Sequence, residues 1–287
     1  MKISASSSSS SSMMKIYSRT RTRRITITNW LAAVVLFFAG GAVAETTNVL
    51  SDAEIQGRQL ARQLCEAKPV VNSTNTGELK IKNSKNQSTS ITVRFTVCVA
   101  ATNWQSSFAA CEKPNDQFPI VEFIIKHSNS VIEEFISAKD INAGGDIGGF
   151  YCYTNMLTAP LRLGKDTAKP FAASDFWLCD LGLEFFHWPA QKILPHTTTL
   201  KRGREYTLLE STNPNPPTNG YSRVVSWIDK ETGGILEAEA YDATGKLLKD
   251  FAPKSFKKVN GQWELQEMEI RNVQTGSRTR LEFDLPK

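Results

Sequence analysis

The chain has 287 residues, 40% hydrophobic and 22% charged, with 34 lysines and arginines against 29 aspartates and glutamates and three histidines. Six of the basic residues, Lys2, Lys15, Arg19, Arg21, Arg23 and Arg24, precede residue 45, where there is no acidic residue at all, so the remainder is nearly neutral. It carries no lysine or arginine stripe of the kind that tracks phosphates, which excludes nucleic acid as an expected partner, and no proline-rich or charged linker divides it, so one domain with an ample core is expected.

Residues 1–44 hold a serine tract, the basic run, an apolar core over residues 30–38 and the small residues Ala42, Val43 and Ala44. This is the pattern of a secretory signal cut after Ala44, leaving a mature chain of residues 45–287. Residues 25–43 are nearly as long as the ~20 residues a membrane-spanning helix needs, but Thr26, Thr28 and Asn29 dilute its start. Export to the periplasm as a soluble monomer is expected.

Ser51 with Glu54 three residues on predicts a capped helix over residues 51–67, with Ala53, Ile55, Gly57, Leu60, Ala61 and Leu64 on its apolar side and Pro69 as its stop. Strands are predicted near residues 79–82, 89–101, 107–111, 120–127 and 131–136. The alternation of Val93, Phe95, Val97 and Val99 followed by Phe108 and Ala110 predicts a hairpin with its loop at residues 103–106. That register sets Cys98 opposite Cys111, where a cross-strand disulfide is geometrically possible. The connectivity of Cys65, Cys152 and Cys179 stays open; Cys65 on the helix reads as a small buried hydrophobe. Residues 138–150 carry four glycines in the run DINAGGDIGGF, without the GxGxxG spacing of a dinucleotide site.

Residues 175–194 crowd Phe176, Trp177, Leu178, Leu181, Leu183, Phe185, Phe186 and Trp188 into a short stretch, too many for one helix face. The segment reads as a plug that seals the sheet and as a lid over an apolar cavity, two roles that can hold at once. Next comes SWIDKETGGILEAEAYDATGKLLK, residues 226–249, with glycine-marked turns at residues 230–233 and 242–245. Folding it about the first turn pairs Trp227 with Leu236 and Val225 with Ala238 on one apolar face, with Glu237 and Glu239 on the other. The C-terminal strands repeat the pattern about a turn at residues 274–277: pairing Ile270 with Leu281 brings Met268 to Phe283, while Arg278, Arg280, Glu282 and Asp284 point away.

Reactive side chains are scarce. His127, His187 and His196 form no HExxH, no GxSxG elbow and no CxxC occur, and the carboxylate pairs Glu133–Glu134 and Glu237–Glu239 fall on opposite faces or on a wet face. No catalytic residue, metal ligand or cofactor is assigned.

The segment from Asp175 through Trp227-Ile228-Asp229, the Asp242-x-x-Gly245-Lys246 turn, Trp263 before the Met268 strand, and the closing Thr279-x-Leu281-x-Phe283 resembles the outer-membrane lipoprotein-sorting protein family, relatives of periplasmic lipoprotein carriers of the LolA and LolB type. The resemblance covers residues 175–287, and the N-terminal half shares only its plan of a helix followed by long strands. It implies a mainly β fold: a curled antiparallel sheet forming an incomplete barrel, closed by the N-terminal helix and a lid. It also implies a periplasmic carrier of lipidated or apolar envelope molecules, with acyl chains as ligand and inner- or outer-membrane envelope proteins as partners. On this reading Val225, Trp227, Leu236, Ala238, Met268, Ile270, Leu281 and Phe283 line the ligand face, and Phe176, Trp177, Phe185 and Trp188 form the lid. The alternatives are a structural or signalling envelope protein of the same fold that binds a protein partner and, last, an exported hydrolase.

Overall fold

The computed structural model describes residues 50–101, 103–113, 119–128, 131–138, 161–162, 167–196, 200–259 and 262–286. The expected signal, the glycine-rich run after residue 138 and Cys152 lie outside them. Among the described residues no helix is long and apolar enough to cross a membrane.

Helix α1, Asp52–Cys65, begins where its capping box places it. Ser51 Oγ accepts from the Glu54 N–H at 3.4 Å, and the Glu54 carboxylate accepts from the Ser51 N–H at 2.8 Å. These bonds satisfy amides that lack a partner within the first turn. Six strands follow: β1 (Ser73–Lys82), β2 (Ser88–Val99), β3 (Asn103–Cys111), β4 (Val121–Ser128), β5 (Val131–Ala138) and β6 (Leu161–Arg162). After the aromatic segment come β7 (Ala190–Leu194), β8 (Leu200–Lys201), β9 (Arg204–Thr212), β10 (Tyr221–Asp229), β11 (Ile235–Asp242), β12 (Leu247–Val259), β13 (Gln262–Asn272) and β14 (Arg278–Phe283).

All of them join one antiparallel sheet in the order β6-β5-β4-β3-β2-β1-β14-β13-β12-β11-β10-β9-β7, with β8 paired to β9 at the side. Two meanders are thus fused where the first strand meets the last. The path ends at β6 and β7 without closing, which is the incomplete barrel expected from the sequence. The C-terminal turns form as read: Gly233, Gly245 and Gly276 adopt φ of +71°, +81° and +76°, which side chains resist. Asp242 and Asn272 brace two of these turns by accepting from the amides of Thr244 and Gln274. Helix α1 packs on β7 so tightly that a Cβ on Gly57 would lie 2.6 Å from Lys192 Cα. Glycine is required there.

Pairing across the sheet puts one set of side chains on a common face. Leu209, Ser226, Ala238, Phe251, Ile270 and Thr279 form one row from β9 to β14. A second row runs Phe283, Gly77, Val93, Ala110 and Val121, and a third runs Phe95, Phe108 and Phe123. Nearly all are buried. This inner face holds both apolar clusters of the core. The outer face carries ion pairs such as Arg280 with Glu267 and Glu269, and Lys80 with Glu282.

Three expected registers are corrected. β2 ends at Val99 and β3 already begins at Asn103, so residues 103–106 are strand and not loop, and Ala100 N–H donates to Asn103 O. Cys98 therefore faces Gln105 and Cys111 faces Thr92. The two cysteines share a face but sit six residues apart along the ladder, roughly 20 Å, against the ~4.4–6.8 Å between Cα atoms that a disulfide needs. Cys98 and Cys111 are therefore not bonded to each other, and Cys65 and Cys98 are free thiols. A tertiary contact braces the tight turn: Lys68, just past α1, donates to the carbonyls of Ala100 and Ala101 at 2.8 and 3.1 Å. Cys65 is partly buried against the core, and burial pushes its thiol up to about 11.

The second correction concerns β10 and β11. Ile228 pairs with Ile235, as folding about residues 230–233 predicts, but Leu236 is then skipped and Trp227 pairs with Glu237, Ser226 with Ala238 and Val225 with Glu239. A one-residue bulge turns every later side chain to the opposite face. In β13–β14 the register is also displaced, with Met268 opposite Leu281 and Ile270 opposite Thr279. That slip is of two residues, so the face is preserved.

Candidate ligand face and its cover

Of the eight residues expected to line the face, Ala238, Met268, Ile270, Leu281 and Phe283 lie on the inner face, and Ile270, Leu281 and Phe283 are 1%, 1% and 5% exposed. Trp227 and Val225 do not. They sit on the outer face with Glu237 and Glu239, where Trp227 pairs with Leu208 and its ring lies 4.4 Å from Lys201 Nζ. Leu236 falls at the bulge, outside both core clusters. The structure adds residues that the sequence reading left out: Leu79, Val93, Phe95, Phe108 and Phe123, all buried on the N-terminal meander. Their period-two spacing was visible, but the closure of β1 on β14 that joins them to Ile270 and Leu281 was not. An expected result follows from the correction: Trp227→Glu should leave the fold intact and cost about 2–3 kcal/mol, the sum of a ring–lysine contact and the burial of a half-buried ring. A thermal melt of the variant checks it.

The aromatic segment covers this face. It begins with a short 3-10 turn, Phe171–Ala173, and a bridge between Pro170 and Trp177. Helix α2, Leu178–Leu181, and a second 3-10 turn, Glu184–His187, follow. Phe171, Phe176 and Leu178 pack into the cluster that contains Ile270, Leu281 and Phe283. Phe185 and Phe186 pack into the other cluster, under α1, with Trp177 and Trp188 at its margin. All four expected lid residues are thus in the cover, two fully buried and two partly. Ala172, Ala173 and Leu183 hold left-handed φ values of 49°, 57° and 50°, an unfavourable conformation for side-chain-bearing residues.

What fastens the cover is polar. Lys249 on β12 is 1% exposed, the one buried cation among the described residues, and stands 3.5 Å from the centre of the Trp177 ring. Its Nζ donates to the Asp175 carbonyl at 2.7 Å and to Asp180 Oδ2 at 3.2 Å. Asp180 also accepts from Tyr221 Oη at 2.8 Å and from the Trp177 N–H at 2.8 Å. The Asp175 carboxylate accepts from Ser277 Oγ at 2.5 Å and Thr279 Oγ1 at 2.8 Å. Burial pushes the Lys249 ammonium below its usual range while Asp180 pulls it back, and burial with the nearby Asp180 charge holds the Tyr221 phenol well above its own. At the far end Gln191 of β7 donates to the carbonyls of Phe185 and Trp188, both at 2.9 Å. Neither Lys249 nor Asp180 was singled out from the sequence. Among the described residues no group of His, Cys, Asp and Glu is placed to hold a metal ion.

At the other end of the inner face, His127 of β4 stacks on Trp104 of β3 with ring centres 3.6 Å apart and planes 5° from parallel. Burial, with a lesser contribution from His187, pushes the His127 imidazole from 6.5 down to about 4. Between those values the unfolded chain holds a proton that the folded one does not. Stability is therefore full above pH 6.5 and falls as the pH drops toward 4, by at most about 3 kcal/mol. Urea unfolding at several pH values should show this loss in the wild type and lose most of it in His127→Phe.

An open antiparallel sheet with one face covered by a helix and an aromatic segment is an arrangement that this chain shares with several solved structures. It superposes on a domain from Vibrio parahaemolyticus named for outer membrane lipoprotein sorting, with a TM-score of 0.59 and 20% identity over 81% of this chain and 92% of that one. A DUF1329 family protein from Desulfovibrio piger gives 0.58 and 17% over 82% and 92%. A LolA superfamily protein from Nitrosomonas europaea gives 0.51 and 14% over 80% and 94%. No curated protein matches the sequence. The model of a DUF1329-like family, described as "Uncharacterized protein", matches residues 136–287, more than half of the chain, and the chain belongs to that family.

Proposed function

We propose that this protein is a periplasmic carrier or binding protein for lipidated or other apolar envelope molecules, exported by its first 44 residues and performing no chemistry on what it holds. One observation carries the reading: a largely apolar inner face is covered by a separate aromatic segment, and that segment is fastened by a few polar contacts. Apolar ligands suit such a face because each buried CH₂ contributes ~0.8 kcal/mol, so a chain of about fourteen carbons gains on the order of 10 kcal/mol by leaving water. Phe171, Phe176 and Leu178 would give up their places to the ligand and take them back on release. The outer-membrane lipoprotein-sorting name borne by the Vibrio domain accords with this role.

Native mass spectrometry of the exported protein, before and after delipidation, tests the reading. The expected result is a lipid adduct lost on delipidation, followed by saturable binding of a fluorescent fatty acid. A protein with no adduct and no saturable binding would instead support the second reading, an envelope protein of the same fold that binds a protein partner. Trp263 and Phe256 favour that one: they are 66% and 51% exposed and share the outer face of the β12–β13 hairpin.

A further inference from the structure

The carboxylate of Asp180 sits in a nest of donors that belong to two different parts of the molecule. Lys249 Nζ and Tyr221 Oη come from the sheet, at 3.2 and 2.8 Å, whereas Asp180 itself and the Trp177 N–H come from the cover. When the cover lifts, the carboxylate and the Asp175 carbonyl leave together. If an apolar chain then takes the cover's place, an ammonium and a phenol are left under it without acceptors, a costly state for a buried cation. An incoming anion that takes the place of Asp180 removes that cost, because one oxyanion replaces another and the Lys249 charge stays compensated.

We propose that the position of the Asp180 carboxylate is an anion site for the head group of the ligand, and that the molecule carried is an amphiphile with an anionic head on an apolar chain. This rests on the carrier reading above and specifies its ligand. The register supplies the path for the tail: Phe251 is the next inward residue after Lys249 on β12, and it pairs with Ile270 of β13. One further polar group waits on the same face. Ser226 Oγ, in the row of Ala238 and Phe251, is fully buried and has no hydrogen-bond partner among the described residues. A hydroxyl so placed is costly unless something it can bond enters beside it.

The test uses the exported, delipidated protein and two probes, 11-(dansylamino)undecanoic acid and its methyl ester, with acetate as the head without the tail. The wild type should bind the acid at least about tenfold more tightly than the ester, the scale of one hydrogen bond to a charged group. Lys249→Met combined with Asp180→Leu replaces the buried pair by apolar groups of similar size, which folds are known to accept, and should bring the ratio close to one. Tyr221→Phe keeps the ring against Trp177 and should reduce the ratio severalfold. Near-UV circular dichroism confirms that each variant is folded. Equal binding of acid and ester by the wild type would overturn the anion site and leave the carrier reading standing. Binding of neither probe would overturn both, and acetate displacing the acid at equal concentration would make the site one for small anions, against the amphiphile.

Discussion

Lys249→Ala should lower the free energy of unfolding by about 3–5 kcal/mol, the usual consequence of removing one partner of a buried charge pair. The loss comes from both sides of the clamp. Asp180 keeps Tyr221 and the Trp177 amide but faces no cation, and the Asp175 carbonyl loses the ammonium that held it at 2.7 Å. The hole left by the side chain lies under the Trp177 ring, so the cover also loses packing. Urea titrations of wild type, Lys249→Ala and the combined Lys249→Met, Asp180→Leu variant separate these contributions. The combined variant should recover most of the stability because no unpaired charge remains. A Lys249→Ala protein as stable as the wild type would mean that the clamp is solvated and that the cover is held by its aromatic side chains alone.

Phe176→Ala should cost about 3–5 kcal/mol, as large-to-small changes of fully buried aromatic residues do. Phe176 is 1% exposed and packs edge-on against Phe251 at 6.5 Å between ring centres, beside Ile270 and Leu281. If the cover stands where a ligand goes, the space it vacates is ligand space. A fluorescent fatty acid should then bind the variant more tightly than the wild type, and at a hundred times its Kd should restore about 2.7 kcal/mol. Equally destabilised protein with unchanged probe affinity would mean that residues 171–188 are a permanent plug of the core. The measurement is a pair of melts, with and without probe, beside a binding titration.

Much of the architecture was legible in the residues because it is set locally. The capping pair Ser51 and Glu54 marked the start of α1, and the turns around Gly233, Gly245 and Gly276 follow from the backbone freedom that only glycine has. Period-two spacing located the long strands and placed Ile270, Leu281 and Phe283 on one face. That assignment survived a register error of two residues, since an even slip does not change which side a residue faces. The odd slip at Leu236 did change it, and it turned Trp227 and Val225 to the outer face, where Trp227 is half-buried and Val225 is still buried.

The rest depended on contacts between distant parts of the chain. Lys68, from beyond α1, braces the β2–β3 turn, and the register of that hairpin separates Cys98 from Cys111. Read locally, Lys249 is one more charge beside Asp250 on a hairpin. It becomes a buried anchor because Asp180, 69 residues earlier, is carried over it by the cover. In the same way Asp175 meets Thr279 across 104 residues. Side-chain alternation and turn chemistry act over a few residues, so they fix strands and faces. Which charge is buried, and against what, is settled only when the two meanders join at β1 and β14 and the aromatic segment closes over the face between them.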